Sequence, residues 1–335
     1  MQIRTRMCRH NATLPFTLVF LLAISASVFA LGGATLYAQD ASQQTFSSPQ
    51  AAMQALVQAA TAKDRAALDK IFGPDVQKLL SGDPVEDARD LADFSKGVQE
   101  STQLKQDSDS KYTLIVGKTN WRFPVPIVKQ GNQWVFDTKA GMQEILDRRI
   151  GEDELSAITT CRAYVIAQWQ YFTQDDWGHN GVMAYAPRFM STPGHHDGLY
   201  WKTSDKDDAP SPLGALVAEA RAEGYGRQKG ATATKDANAS SGGRHPFHGY
   251  FFKILTRQGP AAPGGAYNYI INFNMIGGHA LIAYPDKWGN SGVMTFIVNQ
   301  QGRVYEKNLG PKTDAVAAAV TEYNPDTTWK LVNWQ

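Results

Sequence analysis

Residues 153–172, DELSAITTCRAYVIAQWQYF, decide the fold class. Asp153 and Glu154 open the stretch, and acidic groups favour the positive end of a helix dipole. Leu155, Ile158, Cys161, Val165, Trp169 and Phe172 then recur at three- and four-residue steps, which sets them on one side of a helix. A shorter helix, from about Lys139 to Arg149, leads into this one. An amphipathic helix must bury its apolar side against another layer. The last third of the chain supplies that layer. Tyr250–Thr256, Tyr267–Phe273, Ala280–Tyr284, Val293–Val298 and Arg303–Glu306 are rich in aromatic and β-branched residues and read as strands. Gln301-Gly302 makes a tight turn between the last two, and a short alanine-rich helix follows at about Thr313–Thr321. The expected core is a long helix packed on a C-terminal antiparallel sheet.

Upstream, the pattern differs. Ser48-Pro49 is a cap and first-turn pair, and Met53, Leu56, Val57 and Ala60 follow at helical spacing. Asp64 caps a second short helix that carries Leu68, Ile71 and Phe72 and stops at Gly73-Pro74; a third covers about 84–101. Tyr112–Val116, Trp121–Val128 and Gln133–Phe136 read as strands, with a turn at Gly131-Asn132 and with Pro124 and Pro126 pushing the middle run to an edge. Helices followed by antiparallel strands make a small α+β domain at about 46–138, and the long helix and its sheet make a second α+β domain at 139–335. Within the second, residues 226–246 are low in complexity and read as a mobile loop. Ser211-Pro212 starts a helix just before it.

The first 38 residues read as a secretion signal. Arg4, Arg6 and Arg9 precede an uncharged run from Leu14 to Leu31, Gly32 and Gly33 break it, and Ala38-Gln39 is a cleavage point. Val28 and Ala30 offer a second cleavage point, and an uncleaved run would instead be an anchor. Residues 39–47 form a flexible lead-in. The expected location is therefore the periplasm or another exported compartment, with no membrane span once the signal is cut. The whole chain of 335 residues carries a formal charge of +1; losing three arginines takes it to −2. That balance offers no footprint for nucleic acid. Cys161 is then the only cysteine, which excludes an internal disulfide and a multi-thiolate zinc site.

Several long phrases carry a family resemblance: DTKAGMQEILDRRIGEDELSAI (137–158), HHDGLYW (195–201), SPLGALVAEA (211–220), GYFFKILTRQGPAAPGGAYNY (249–269) and GVMTFIVNQQGRVYEKNLGPKT (292–313). Together they resemble domain-of-unknown-function family 2950, a group of exported bacterial proteins, from about Phe46 to the C-terminus. His279 departs from it, standing where an aromatic residue is expected. The resemblance implies an envelope location and no defined activity. The N-terminal pattern resembles cone-shaped domains of the nuclear-transport-factor-2-like kind. The order of long helix, loops and antiparallel sheet resembles the globular part of type IV pilin-like proteins. A whole domain precedes Asp153 here, so that likeness implies a shared fold and no pilus-building stem.

Candidate site residues gather in the loops. Trp177, His195, His196, Asp197, Tyr200 and Trp201, with His245 and His248 from HPFH, form an aromatic and histidine-rich set. Such rings suit a protein or small-ligand surface. The spacing matches no metal motif and no nucleophile motif, so neither a metal, a cofactor nor a catalytic residue is assigned. Cys161 lies on an apolar helix stripe and reads as core. The function expected is a non-catalytic envelope protein that binds a protein or small ligand. Two alternatives stand beside it: a periplasmic hydrolase using the His/Asp-rich loops, and small-ligand binding in an N-terminal cavity lined by Trp121 and Trp134.

Overall fold

Local signals in the sequence set where the first elements begin. In the computed structural model the Ala51 amide donates to Ser48 Oγ (3.1 Å), and Pro49 fills the first turn of α1, Pro49–Ala62. The Ala67 amide donates to Asp64 Oδ1 (3.0 Å) and starts α2, Arg65–Phe72. Asp83 Oδ1 accepts from the Val85 amide (2.9 Å) ahead of α3, Pro84–Glu100. A side-chain oxygen at each site satisfies an amide that the helix itself leaves open. The structure describes residues 43–333 apart from 80, 82, 175–180, 204–208, 224 and 226–245. Residues 1–38, read as a secretion signal, and residues 226–245 of the segment read as a mobile loop lie outside the described residues. Two compact units emerge, one running to Leu80 and resuming over Asp87–Ile145, the other made of Ser81–Glu86 and Leu146 onward.

The first unit sets α1 and α2, with most of α3, around an antiparallel sheet. Its strands are β1 (Thr102–Ser108), β2 (Lys111–Val116), β3 (Trp121–Arg122), β4 (Ile127–Gln130) and β5 (Gln133–Phe136), in the order β1-β2-β4-β5 with β3 also on β2. The expected strand Trp121–Val128 is broken at Pro124 and Pro126, which lack the amide a ladder needs. β1, polar and largely exposed, forms a strand where none is expected from the sequence. Of the lead-in read at 39–47, Phe46 is tied down: it exchanges both backbone bonds with Trp134 at 2.8 Å and is buried. Phe72, Phe94, Phe123 and Phe136 fill the centre with Trp121.

In the second unit, α4 (Thr138–Thr173, of which Leu146 onward belongs here) is one continuous helix, not the two expected around Gly151. Its buried face is also rotated from the predicted stripe. Ala157, Ile158, Cys161, Tyr164, Gln168 and Tyr171 point inward, whereas Leu155 and Trp169 are 47% and 60% exposed. Gln168 is what shifts the register. Its amide donates to the Ala186 carbonyl (2.8 Å) and accepts the Ala186 amide (2.9 Å), so a polar residue is satisfied in the core.

α5 (Gly214–Glu223) follows, and then β6 (Tyr250–Leu255), β7 (Arg257–Gln258), β8 (Tyr267–Asn268), β9 (Ile270–Ile271), β10 (Asn274–Met275), β11 (Ala280–Pro285), β12 (Met294–Asn299), β13 (Tyr305–Asn308), α6 (Thr313–Ala319) and β14 (Lys330–Leu331). The main sheet runs β14-β13-β12-β11-β6, all antiparallel. α4 packs on one face through Leu281, Ala283, Phe296 and Val298. Ala280, Ile282, Tyr284 and Ile297 face the other way, toward Tyr269, Ala317 and Tyr323. Both faces of β11 are thus covered, which explains why ALIAYP is a continuous apolar run without alternation. The α+β class and the long helix on an antiparallel sheet are as the sequence implies. The run Tyr267–Phe273 is not one strand: Asn272 (φ 49°) and Phe273 (φ 67°) turn it back on itself as the β9–β10 hairpin.

Candidate ligand cavity

Three elements of the second unit leave a gap on the α4 side of the sheet. α4 contributes Thr160 and Tyr164, α5 contributes Leu216 and Val217, and β6 with the residues before it contributes Phe247, Tyr250 and Phe252. Phe189, Met190 and Tyr200 come from the loop over 186–201. The cavity holds about 330 Å³, toward the small end of small-molecule sites.

That loop is shaped by its own polar residues. The Tyr200 amide donates to the Phe189 carbonyl and the Ser191 amide to the Tyr200 carbonyl, both at 2.8 Å, which pinches the loop shut. Inside the pinch, Asp197 accepts from the Thr192 amide (2.7 Å) and hydroxyl (2.8 Å), with Arg188 at 3.3 Å. Partial burial opposes ionisation of Asp197, but those hydrogen bonds and the Arg188 charge outweigh it and hold its carboxyl below the usual range. Gly198 lies so close to the opposite strand that a Cβ would stand 2.7 Å from the Met190 carbonyl carbon and the Ser191 amide nitrogen. HHDG is therefore the built tip of a clamp that presents Phe189 and Tyr200 to the cavity.

Most of the cavity wall is apolar, and two of its hydroxyls are bonded elsewhere. Tyr164 donates to the Ala280 carbonyl (3.1 Å) and Tyr250 to the Met294 carbonyl (2.8 Å). Burial pushes both phenols well above their ordinary range, so neither ionises at neutral pH. The Arg221 guanidinium carbon lies 5.2 Å from the centre of the Tyr200 ring. Among the described residues, no carboxylate, imidazole or thiol lines the space. Cys161, next to Thr160, is fully buried in the core, where desolvation pushes its thiol up to about 12 against the opposing Arg162 charge.

The predicted site residues separate. Tyr200 lines the cavity. Trp201 is buried, donates to the Ala209 carbonyl (3.0 Å) and carries the His196 ring at 4.3 Å. The His196 carbonyl accepts from Tyr171 (2.7 Å), and His195 is exposed at the loop tip. His248 sits beside the cavity residue Phe247, at a ring distance of 4.4 Å, with Nε2 3.0 Å from Glu223 Oε2. Trp177 and His245 lie outside the described residues. Among the described residues no three His, Cys, Asp or Glu side chains are placed to hold a metal ion. Thr160, Leu216, Val217 and Phe252 escape a sequence reading altogether, because an apolar residue lining a cavity has the same periodicity as one filling a core.

In the first unit, the two tryptophans proposed to line a cavity are packed by other rings. Trp121 meets Phe94 and Phe123 at 6.3 and 5.9 Å, and Trp134 meets Tyr112 at 5.4 Å.

No helix among the described residues is long and apolar enough to cross a membrane. No curated protein and no solved structure matches the chain. One family does match, over residues 43–332, and its description reads protein of unknown function (DUF2950). The phrases at 137–158, 195–201 and 292–313 all fall inside that span, and the chain belongs to the DUF2950 family.

Proposed function

We propose that this protein is an exported, non-catalytic binding protein that holds a small apolar molecule in the cavity between α4, α5 and β6. The observation that carries the reading is the character of the lining: mostly ring faces and aliphatic side chains, with the Tyr164 and Tyr250 hydroxyls bonded to backbone carbonyls. Such a wall rewards burial of apolar surface, at about 25 cal/mol per Å². It gives no reward to a strongly hydrated ligand. Arg221, above Tyr200, can meet one acidic group at the rim. Export is supported by Arg4, Arg6 and Arg9 ahead of the uncharged run Leu14–Leu31.

The test is titration with N-phenyl-1-naphthylamine, a neutral probe that brightens in apolar surroundings. Saturable one-to-one binding that is lost in Val217→Trp, with the fold intact by circular dichroism, is expected. Binding unchanged by Val217→Trp refutes the assignment of the cavity. The hydrolase alternative retains one observation, the His248–Glu223 contact beside Phe247. It requires a hydrolytic activity, found in the wild type, that His248→Ala abolishes. The pilin-like reading draws support from the order of α4, loops and sheet, and it bears on fold, not on role.

A further inference from the structure

The β9–β10 hairpin projects an apolar tip that the core does not use. Phe273 is fully exposed, and Ile270, Ile271 and Ile276 around it are 37–45% exposed. Asn272 and Phe273 both adopt left-handed backbone angles (49° and 67°), a conformation that asparagine tolerates and that is unusual for a bulky aromatic residue. A fold that only needed a turn here would place glycine. The Tyr185–Met275 bridge lays the segment with exposed Val182 and Met183 along the base of the hairpin.

Two properties decide what this tip meets. From Gln258 to Pro285 the chain has no Asp, Glu, Lys or Arg, so immersing it strips water from no charge. The hairpin also bonds part of its polar backbone to itself. β9 and β10 pair at Ile271–Asn274 and Ile270–Met275. The Ile270 amide donates to Asn268 Oδ1 (3.0 Å), the Ile276 amide to the Asn274 carbonyl (3.0 Å), and Asn274 Nδ2 to the Asn272 carbonyl (3.3 Å). Each bond made within the hairpin removes polar groups that an apolar medium would leave unsatisfied. A convex tip also needs a pocket of matching shape on a protein, whereas a lipid layer, being fluid, adapts to it.

We propose that the Tyr267–Ile276 hairpin docks the protein on a lipid bilayer, with Phe273 entering the boundary between headgroups and acyl chains and the asparagines held at headgroup level. This goes beyond the cavity reading and does not rest on it. Since the tip carries no charge, attachment needs no anionic lipid and is insensitive to salt.

The test uses the full chain, neutral phosphatidylcholine vesicles with brominated acyl chains, and Phe273→Trp. Comparison with wild type isolates the added indole from the other tryptophans, and from any binding by the apolar run Leu14–Leu31. Extra quenching of the emission from the introduced indole is expected, equal at 50 and 500 mM salt. Phe273→Asp should lower vesicle partitioning at least about tenfold, from the loss of one buried aromatic side chain. No extra quenching in vesicle-bound Phe273→Trp overturns the proposal. So does a Phe273→Asp variant that partitions like wild type, or a self-association that Phe273→Asp abolishes while no lipid is bound.

Discussion

His279 gives the sharpest prediction, because its cost can be worked out from where it sits. The imidazole is 2% exposed, edge-on to Tyr185 at 4.7 Å and Tyr164 at 5.3 Å, and its Nδ1 has no hydrogen-bond partner. Burial alone pulls its pKa down to about 3, against an ordinary value near 6.5. Above pH 6.5 the ring is neutral in both folded and unfolded chains and contributes no pH dependence. Below it the unfolded chain takes up a proton that the folded chain refuses, so stability is lost as pH falls toward 3. At about 1.4 kcal/mol per pH unit, the loss between pH 6.5 and pH 5 is about 2 kcal/mol. His279→Phe removes this proton linkage. The phenyl ring is slightly larger and brings a pH-independent packing change, so the slope is the quantity to read and not the offset. The assay is urea unfolding at pH 5, 6, 7 and 8, followed by hydrogen exchange of peptides from β11. Wild type should lose about 2 kcal/mol more than the variant between pH 7 and pH 5. Identical slopes would refute the claim that a neutral imidazole with an unbonded Nδ1 is held in this core.

Asp153 runs in the opposite sense. Burial first, then the Glu86, Glu152 and Asp83 charges, raise its pKa well above the ordinary carboxylate range despite Arg149. The folded state is therefore penalised as pH rises through that range, and Asp153→Asn should raise the urea midpoint at pH 7 while matching wild type below pH 3.8. Gly198→Ala should destabilise the second unit by about 1–3 kcal/mol, because a Cβ there meets the Met190–Ser191 backbone; thermal unfolding checks it. Cys161 should react with a maleimide far more slowly in the native protein than in urea, since its thiol is both buried and protonated. Rapid native labelling of Cys161 would contradict its place in the core.

Much of the scaffold is legible because single residues announce it. Ser48, Pro49 and Asp64 fix the first helix starts, Gly131-Asn132 fixes the β4–β5 turn, and the ALIAYP run marks the central strand. The failures share a physical cause: tertiary contacts override local pattern. TQLKQDS becomes β1 because the edge beside β2 is available, although the segment carries one apolar residue. The α4 stripe rotates because Gln168 finds both bonds of Ala186. The site was half visible. HHDG and Tyr200 stand out as a glycine- and aromatic-rich loop, yet the geometry uses Asp197 to close the loop and leaves His195 outside. The rest of the wall comes from residues on separate elements, which no spacing along the chain brings together.

The proposed binding rests on burial of an apolar molecule in the cavity. Isothermal calorimetry of 1-decanol, run at several temperatures, measures this most directly, because removing apolar surface from water gives a negative heat-capacity change on binding. Saturable binding at one site per chain, with a negative heat-capacity change and with both lost in Val217→Trp, is the predicted result. Binding with no heat-capacity change, or the same isotherm from the filled variant, would rule out burial of the ligand in this cavity.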